Sequence, residues 1–136
     1  MTYTLREKTD ILNELIAMAY ADQHLKKEEI EFIKAIAQRI HVSEEQLQEM
    51  MDNPNSEPVE PPKKFVKRII HFHRLMLMMH IDGSVDDKEL QLLHEIALRY
   101  GIRGVTVAKL LNTMKSYPHG EIPPSELLQI HSETSN

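Results

Sequence analysis

An internal match between its two halves is the feature that most constrains the fold of this chain. When the sequence is shifted by 60 residues against itself, apolar residues fall on apolar residues without a gap, from Leu5 on Phe65 to Met51 on Leu111. Identical residues in this register include Asp22/Asp82, Glu29/Glu89, Ile36/Ile96, Ala37/Ala97 and Arg39/Arg99. A fixed period of this kind is typical of one structural unit used twice. The sequence therefore predicts two related units that pack around one core, about a pseudo-twofold axis.

Each unit reads as three helices. In the first unit, apolar spacings of three and four residues predict a helix from about Thr4 to Tyr20. After a loop from Ala21 to Lys26, a second helix carries the apolar residues Ile30, Ile33, Ala37 and Ile40. The buried stripe of the first helix is predicted to comprise Leu5, Leu12, Leu15, Ile16 and Ala19. A third helix should begin at Ser43, because Ser43 and Gln46 have the spacing of a capping box.

The second unit follows the same plan. Helices are expected from about Lys63 to His80, from a cap at Asp86 to Tyr100, and from Val105 to Met114, with a short terminal helix from Ser125 to His131. Gly101 is placed to end the middle helix in a left-handed conformation, and Pro62 suits a first helical turn. The prediction is an all-α domain of six to seven helices over residues 1–131. Its units span about 4–51 and 63–114, its proline-rich linker spans 52–62, and its tail, 132–136, is disordered.

Composition excludes several classes of protein. The chain of 136 residues has no Cys, which rules out disulfide scaffolds, thiolate zinc sites and a Cys nucleophile. Its formal net charge of −5 disfavours a general nucleic-acid binder. The longest apolar run is far shorter than the ~20 residues that cross a bilayer, and Met1 to Glu7 lacks the pattern of a secretory signal. We therefore expect a cytoplasmic protein with no membrane insertion.

One motif resembles a known family. The segment Ile81-Asp82-Gly83-Ser84-Val85-Asp86-Asp87-Lys88-Glu89, followed by Ile96-Ala97 and Tyr100-Gly101-Ile102, is similar to the TerB family of tellurite-resistance-like helical proteins. The first unit carries a second copy, from Ala21-Asp22-Gln23-His24-Leu25 through Glu29 to Ile40-His41-Val42. This copy departs from the pattern at Gln23, where the loop glycine is missing, and at Lys26, which stands opposite Asp86. The resemblance covers about Leu5 to Met114.

The resemblance implies an all-α protein that is not an enzyme. Proteins of this kind are associated with stress and metal-oxyanion resistance, and the TerB-like module also occurs in membrane-anchored J-domain co-chaperones. Acidic surface residues are proposed to bind metals or partners in such proteins. Carried onto this chain, the resemblance points to the loops that precede the middle helix of each unit.

The acidic residues of those loops are the first site candidates. Asp82 and Glu89, their counterparts Asp22 and Glu29, and Asp86 form an expected acidic patch. The first four are also candidate ligands for a hard divalent cation, since carboxylates suit Ca²⁺ and Mg²⁺. The alternative is structural, because an Asp before Gly can bond its own turn and a Glu at the third helical position can cap the helix. The loop is not an EF-hand, since its twelfth residue is Leu93.

Histidines provide a second candidate. His73, Met76 and His80 have the spacing of one helical face, and imidazole with thioether suits a soft metal such as copper. The alternative is packing, which is the usual role of a Met stripe at helical spacing. We found no catalytic constellation or phosphate-binding loop in the sequence.

Two functional hypotheses follow. The first is a non-enzymatic cytoplasmic binding or adaptor module, related to stress, that acts through surface contacts with an unidentified protein partner. The second is a divalent metal-binding protein that uses the acidic residues of the two interhelical loops. No cofactor is expected beyond that divalent cation, and the oligomeric state is left open.

Overall fold

The described part of the chain folds into helices joined by short turns and loops. The computed structural model describes residues 2–20, 26–54, 59–80 and 87–134. Within these ranges it holds a short 3₁₀ turn at Pro118–Gly120 and no strand. The seven α-helices of this part of the chain are α1 Leu5–Ala19, α2 Lys27–Arg39, α3 Glu44–Asp52, α4 Phe65–Met79, α5 Asp87–Tyr100, α6 Gly104–Met114 and α7 Pro124–Thr134. The predicted all-α class is therefore confirmed, and none of the described helices is long and apolar enough to cross a membrane.

Internal contacts divide the chain into two compact units. Unit 1 comprises Met1–Glu60 and unit 2 comprises Pro61–Asn136. The boundary lies inside the predicted proline-rich linker, 52–62. The single shared core, the pseudo-twofold arrangement and the repeat relation between the units stay predictions.

In unit 1, α1 packs against α2 and α3, and α2 packs against α3. A capping box starts α1: the Thr4 hydroxyl accepts from the Glu7 amide at 3.1 Å, and the Glu7 carboxylate accepts from the Thr4 amide at 2.9 Å. The predicted box at α3 is confirmed, with the Gln46 amide donating to the Ser43 hydroxyl at 3.2 Å. Reciprocal bonds of this kind satisfy backbone donors that a helix start would leave open. Each helix of unit 1 therefore starts on a local sequence signal.

In unit 2, α4 packs against α5 and α7, while α6 contacts α5 and α7. The ring of Tyr100 at the end of α5 lies 6.4 Å from the Phe72 ring and 6.1 Å from the His71 ring, measured between centroids. Aromatic pairs at this separation and tilt add to the stabilisation from burial. The α4–α5 contact is therefore fixed by rings that are themselves inside the core.

Helices α2 and α5 end in the same way, 60 residues apart. The amide of Val42 donates to the Ala37 carbonyl at 2.8 Å, and the amide of Ile102 donates to the Ala97 carbonyl at 2.9 Å. These are the closing bonds of a Schellman motif, which requires a left-handed residue one step earlier. That residue is Gly101 at φ +70°, as predicted, and His41 at φ +64°. A histidine thus adopts in unit 1 the conformation that a glycine adopts in unit 2.

Two boundary predictions and one burial prediction were wrong. Pro62 lies before α4 and not in its first turn, since α4 begins at Phe65 with Lys64 as its cap. Ser132 to Thr134 belong to α7 and not to a disordered tail, because the Thr134 carbonyl accepts from Arg103 at 3.0 Å and the Thr134 hydroxyl meets Thr106 at 2.6 Å. Leu5 is 75% exposed, because the buried stretch of α1 begins only at Ile11.

Candidate binding surface

The predicted acidic patch is described only in part. Asp22, Asp82 and Asp86 lie outside the described residues, whereas Glu29 and Glu89 lie in the first turns of α2 and α5. Both glutamates are almost completely buried, at 3% and 2% exposure. Whether the loop aspartates join them stays a prediction.

The geometry of Glu29 matches the structural alternative. Its Oε1 accepts a hydrogen bond from the amide of Lys26, the residue that precedes α2, at 3.3 Å. This is the carboxylate half of a capping box; the other half needs a side-chain acceptor at the cap, which an ammonium group cannot provide. Glu29 therefore stabilises the start of α2 whether or not it also binds a cation.

His73 and His80 are placed differently from each other. His73 is 5% exposed, and its Nε2 lies 3.0 Å from the carbonyl oxygen of Gly120, whereas His80 is exposed and its Nδ1 lies 2.8 Å from the Met76 carbonyl. Burial lowers the pKa of His73, so its neutral form is favoured, with Nε2–H as the donor. Across the described residues, no three His, Asp or Glu side chains are grouped as metal ligands.

A groove in unit 1 is a concave site that sequence reasoning missed. It lies between the second half of α2 and the start of α3 and encloses about 630 Å³. Its lining consists of Glu31, Lys34, Ala35, Ala37, Gln38, His41, Val42, Ser43, Glu44 and Leu47. Two short side chains of α2, the exposed Ala35 and the buried Ala37, are among its lining residues. The left-handed turn at His41 sets the angle at which α3 leaves α2.

The charged residues that line the groove are two glutamates and Lys34. Glu31 and Glu44 line it, and α3 continues with the exposed residues Glu45, Glu49 and Asp52 and carries no Lys or Arg. Within the described part of the chain, no ion pair involves Glu31, Glu44, Glu45 or Glu49. These carboxylates are therefore available to an external cation or cationic group.

Charge is distributed unequally between the units. Residues 1–60 hold 6 Lys and Arg against 13 Asp and Glu, while residues 61–136 hold 10 against 8. The formal charge is thus −7 in unit 1 and +2 in unit 2, with His neutral. This asymmetry was readable from the sequence once the chain is divided at the linker, but the total of −5 conceals it.

Comparison with known proteins agrees with the family resemblance. The family model of Tellurite resistance protein TerB matches residues 2–52, which include α1, α2 and α3. No curated protein and no solved structure matches the chain. The match falls on the first unit, whose motif is the less complete of the two, and the resemblance of the second unit stays a prediction. Residues 2–52 of this chain, less than half of its length, are thus similar to the TerB family.

Proposed function

We propose that this protein is a non-enzymatic binding module that contacts a protein partner through the α2–α3 groove of unit 1. The observation that carries the proposal is the groove itself, an open cavity of about 630 Å³ whose edge carries carboxylates that form no ion pair with any described residue. Concave surfaces with an apolar floor and a few polar groups are the usual sites of recognition. An adaptor of this kind needs no catalytic group. A cytoplasmic location is proposed from the composition of the chain, and a link to stress is carried over from the family resemblance.

Site-specific photo-crosslinking tests this proposal. A benzoylphenylalanine placed at Ala35, an exposed residue of the groove, should capture a partner in cells. The matched control carries the same group at Ala108, an exposed alanine of α6 in unit 2. Capture from Ala35 alone, followed by stoichiometric binding of the purified partner, is the expected result. Equal capture from both positions, or stoichiometric binding that survives a blocked groove, would refute the proposal.

A divalent cation site is the second candidate. Glu29 and Glu89 favour it, because both carboxylates are almost completely buried and each directly follows an Asp-containing loop. Burying a carboxylate is costly unless it is hydrogen-bonded or binds a cation. Glu29 accepts a hydrogen bond from Lys26, and both glutamates have further interactions, so a cation would have to share these carboxylates with their existing partners.

Calorimetric titration with Ca²⁺, Mg²⁺, Mn²⁺, Zn²⁺ and Cu²⁺ tests this candidate on wild type and on Glu29→Gln/Glu89→Gln. Glutamine keeps a side-chain oxygen that can cap a helix but removes the charge that a hard cation needs. Stoichiometric binding that is lost in the variant, with an unchanged metal-free melting temperature, would support the metal site. If the variant has a lower melting temperature and the wild type binds no ion, both glutamates act only as helix caps.

A further inference from the structure

We propose that the α2–α3 groove accepts a positively charged peptide segment of its partner, with one aliphatic side chain on the groove floor and Lys or Arg side chains against the rim. This inference rests on the proposed function and adds the chemistry of the partner to it.

The floor of the groove favours an aliphatic side chain. Ala37 and Leu47 are each 2% exposed and form its base, and the half-buried Val42 lies between them along the chain. Since these groups offer no hydrogen bond, a polar side chain entering the groove would lose its water without compensation. A Leu, Ile or Met side chain gains from leaving water there.

The rim of the groove favours cationic side chains. Glu31 from α2 and Glu44 from α3 face the same cavity, and Lys34 is the one Lys or Arg among its lining residues. The Glu31 and Glu44 carboxylates have no ion-pair partner in the described parts of the chain. A Lys or Arg of the partner would therefore form a new pair and would not have to displace an existing one. Complementary charge of this kind steers association and selects partners.

The far end of α3 points to the same partner. Glu49 and Asp52 lie in its last turn, which contains no basic residue. A helix C-terminus carries partial negative charge, so carboxylates there are unfavourable, whereas Glu44 and Glu45 at the N-terminus are favourable. Helix stability therefore explains the first pair of acids, and Asp52 accepts a hydrogen bond from Gln48 at 2.9 Å within the helix, but Glu49 has no such explanation. A cationic partner that extends along α3 would relieve this repulsion.

The charge of unit 1 also argues against other occupants. At −7, unit 1 repels a nucleic acid and repels the first unit of a second copy. Unit 2 of a second copy has a net charge of only +2, so its charge complements unit 1 less well than a segment with several adjacent Lys or Arg does. The observations therefore favour a basic segment of another protein.

A defined peptide tests the inference. The probe is fluorescein-labelled Lys-Lys-Ala-Leu-Lys-Arg-Ala-Lys, and the control peptide carries Ser in place of Leu. Binding is followed by fluorescence anisotropy at 50 and 300 mM NaCl. Two variants remove one feature each: Glu31→Gln/Glu44→Gln removes the rim charges, and Ala35→Phe fills the groove. The matched control is Asp87→Asn/Glu95→Gln, which changes the charge equally on exposed residues of α5.

We expect the dissociation constant to rise about tenfold in the rim variant, since an exposed charge pair contributes a factor of up to about five and two such pairs are lost. Ala35→Phe and the Ser peptide should each weaken binding by a similar factor. The control variant should change it less than twofold. Affinity should fall at the higher salt concentration because exposed charges are screened. Melting temperature and far-ultraviolet circular dichroism establish that each variant is folded.

Four results would overturn the inference. Equal weakening by the control variant would mean that the peptide senses only the overall charge. Full binding by Ala35→Phe or by the Ser peptide would remove the groove from the interaction. No binding of the peptide, together with specific capture of a partner at Ala35, would reject a basic segment while leaving the proposed function intact. Self-association that disappears in Ala35→Phe would replace the basic partner with a second copy of the chain.

Discussion

Two glycines three residues apart should respond in opposite ways to the same substitution. Gly101 ends α5 with φ +70°, and Gly104 is the first residue of α6 with no such constraint. A Cβ built at either position meets no atom within 4 Å. Because there is no clash at either site, backbone conformation alone decides the sign of the effect.

The change in the free energy of unfolding follows from two opposing effects of the substitution. A left-handed backbone costs an L-residue about 1–2 kcal/mol. Replacing Gly restricts the unfolded chain and returns about 0.4–1 kcal/mol. Gly101→Ala should therefore lower the free energy of unfolding by about 0.5–1 kcal/mol, and Gly104→Ala should raise it by about 0.5 kcal/mol.

Unit 1 provides the reciprocal experiment. His41 occupies at φ +64° the position that Gly101 occupies in unit 2. His41→Gly should raise the free energy of unfolding by about 0.5–1 kcal/mol, by the same two terms with reversed sign. Its ring also lines the groove, so a loss of peptide binding would be a separate readout.

Urea unfolding followed by circular dichroism at 222 nm measures all three variants. The dependence of free energy on urea should stay constant, so that midpoint shifts report stability. If Gly101→Ala and Gly104→Ala shift the midpoint in the same direction, or if His41→Gly destabilises the protein, the conformational argument fails.

The remaining predictions concern a cap, a buried histidine and the core. Ser43→Ala should cost about 1 kcal/mol in urea unfolding, because α3 loses its reciprocal cap; Ser43→Asp should keep stability, and an equal loss would contradict the capping role. Burial lowers the pKa of His73 from 6.5, so the unfolded chain takes up a proton first. The contribution of His73 to the free energy of unfolding is therefore complete above pH 6.5 and declines as the pH falls below that value. His73→Gln should reduce the slope between pH 7 and pH 5, and an unchanged slope would exclude His73 as its source. Leu15→Ala should cost about 3 kcal/mol, because Leu15 is completely buried; a loss under 1 kcal/mol would show that the core collapses around the site.

Local signals predicted most of the helices. The Ser43–Gln46 spacing located the start of α3, and Gly101 located the end of α5. Both depend on residues that are neighbours in sequence, so the pattern is complete within one segment. The left-handed residue at His41 lacked a glycine to indicate it, although its alignment with Gly101 in the 60-residue register was a usable signal.

Features that depend on distant residues were missed. The extension of α7 to Thr134 requires Arg103 and Thr106, about thirty residues earlier. The role of His73 requires the carbonyl of Gly120, 47 residues away. The groove requires α2 and α3 to pack at a particular angle, which apolar spacing does not specify. The predicted site residues Asp22, Asp82 and Asp86 lie outside the described residues. The calorimetric titration with divalent cations is therefore the test of that prediction.

The order of helix contacts has a kinetic consequence. Most described contacts join helices that follow one another in the chain, such as α1 with α2 and α5 with α6. Chains dominated by such pairings fold in microseconds to milliseconds, because little loop entropy is lost before each contact forms. The exception in unit 2 is α4 with α7, whose partners lie at opposite ends of that unit. Closing this contact is the step at which we expect folding of unit 2 to slow, and mutations in the α4–α7 contact should change refolding rates more than mutations at the α5–α6 turn.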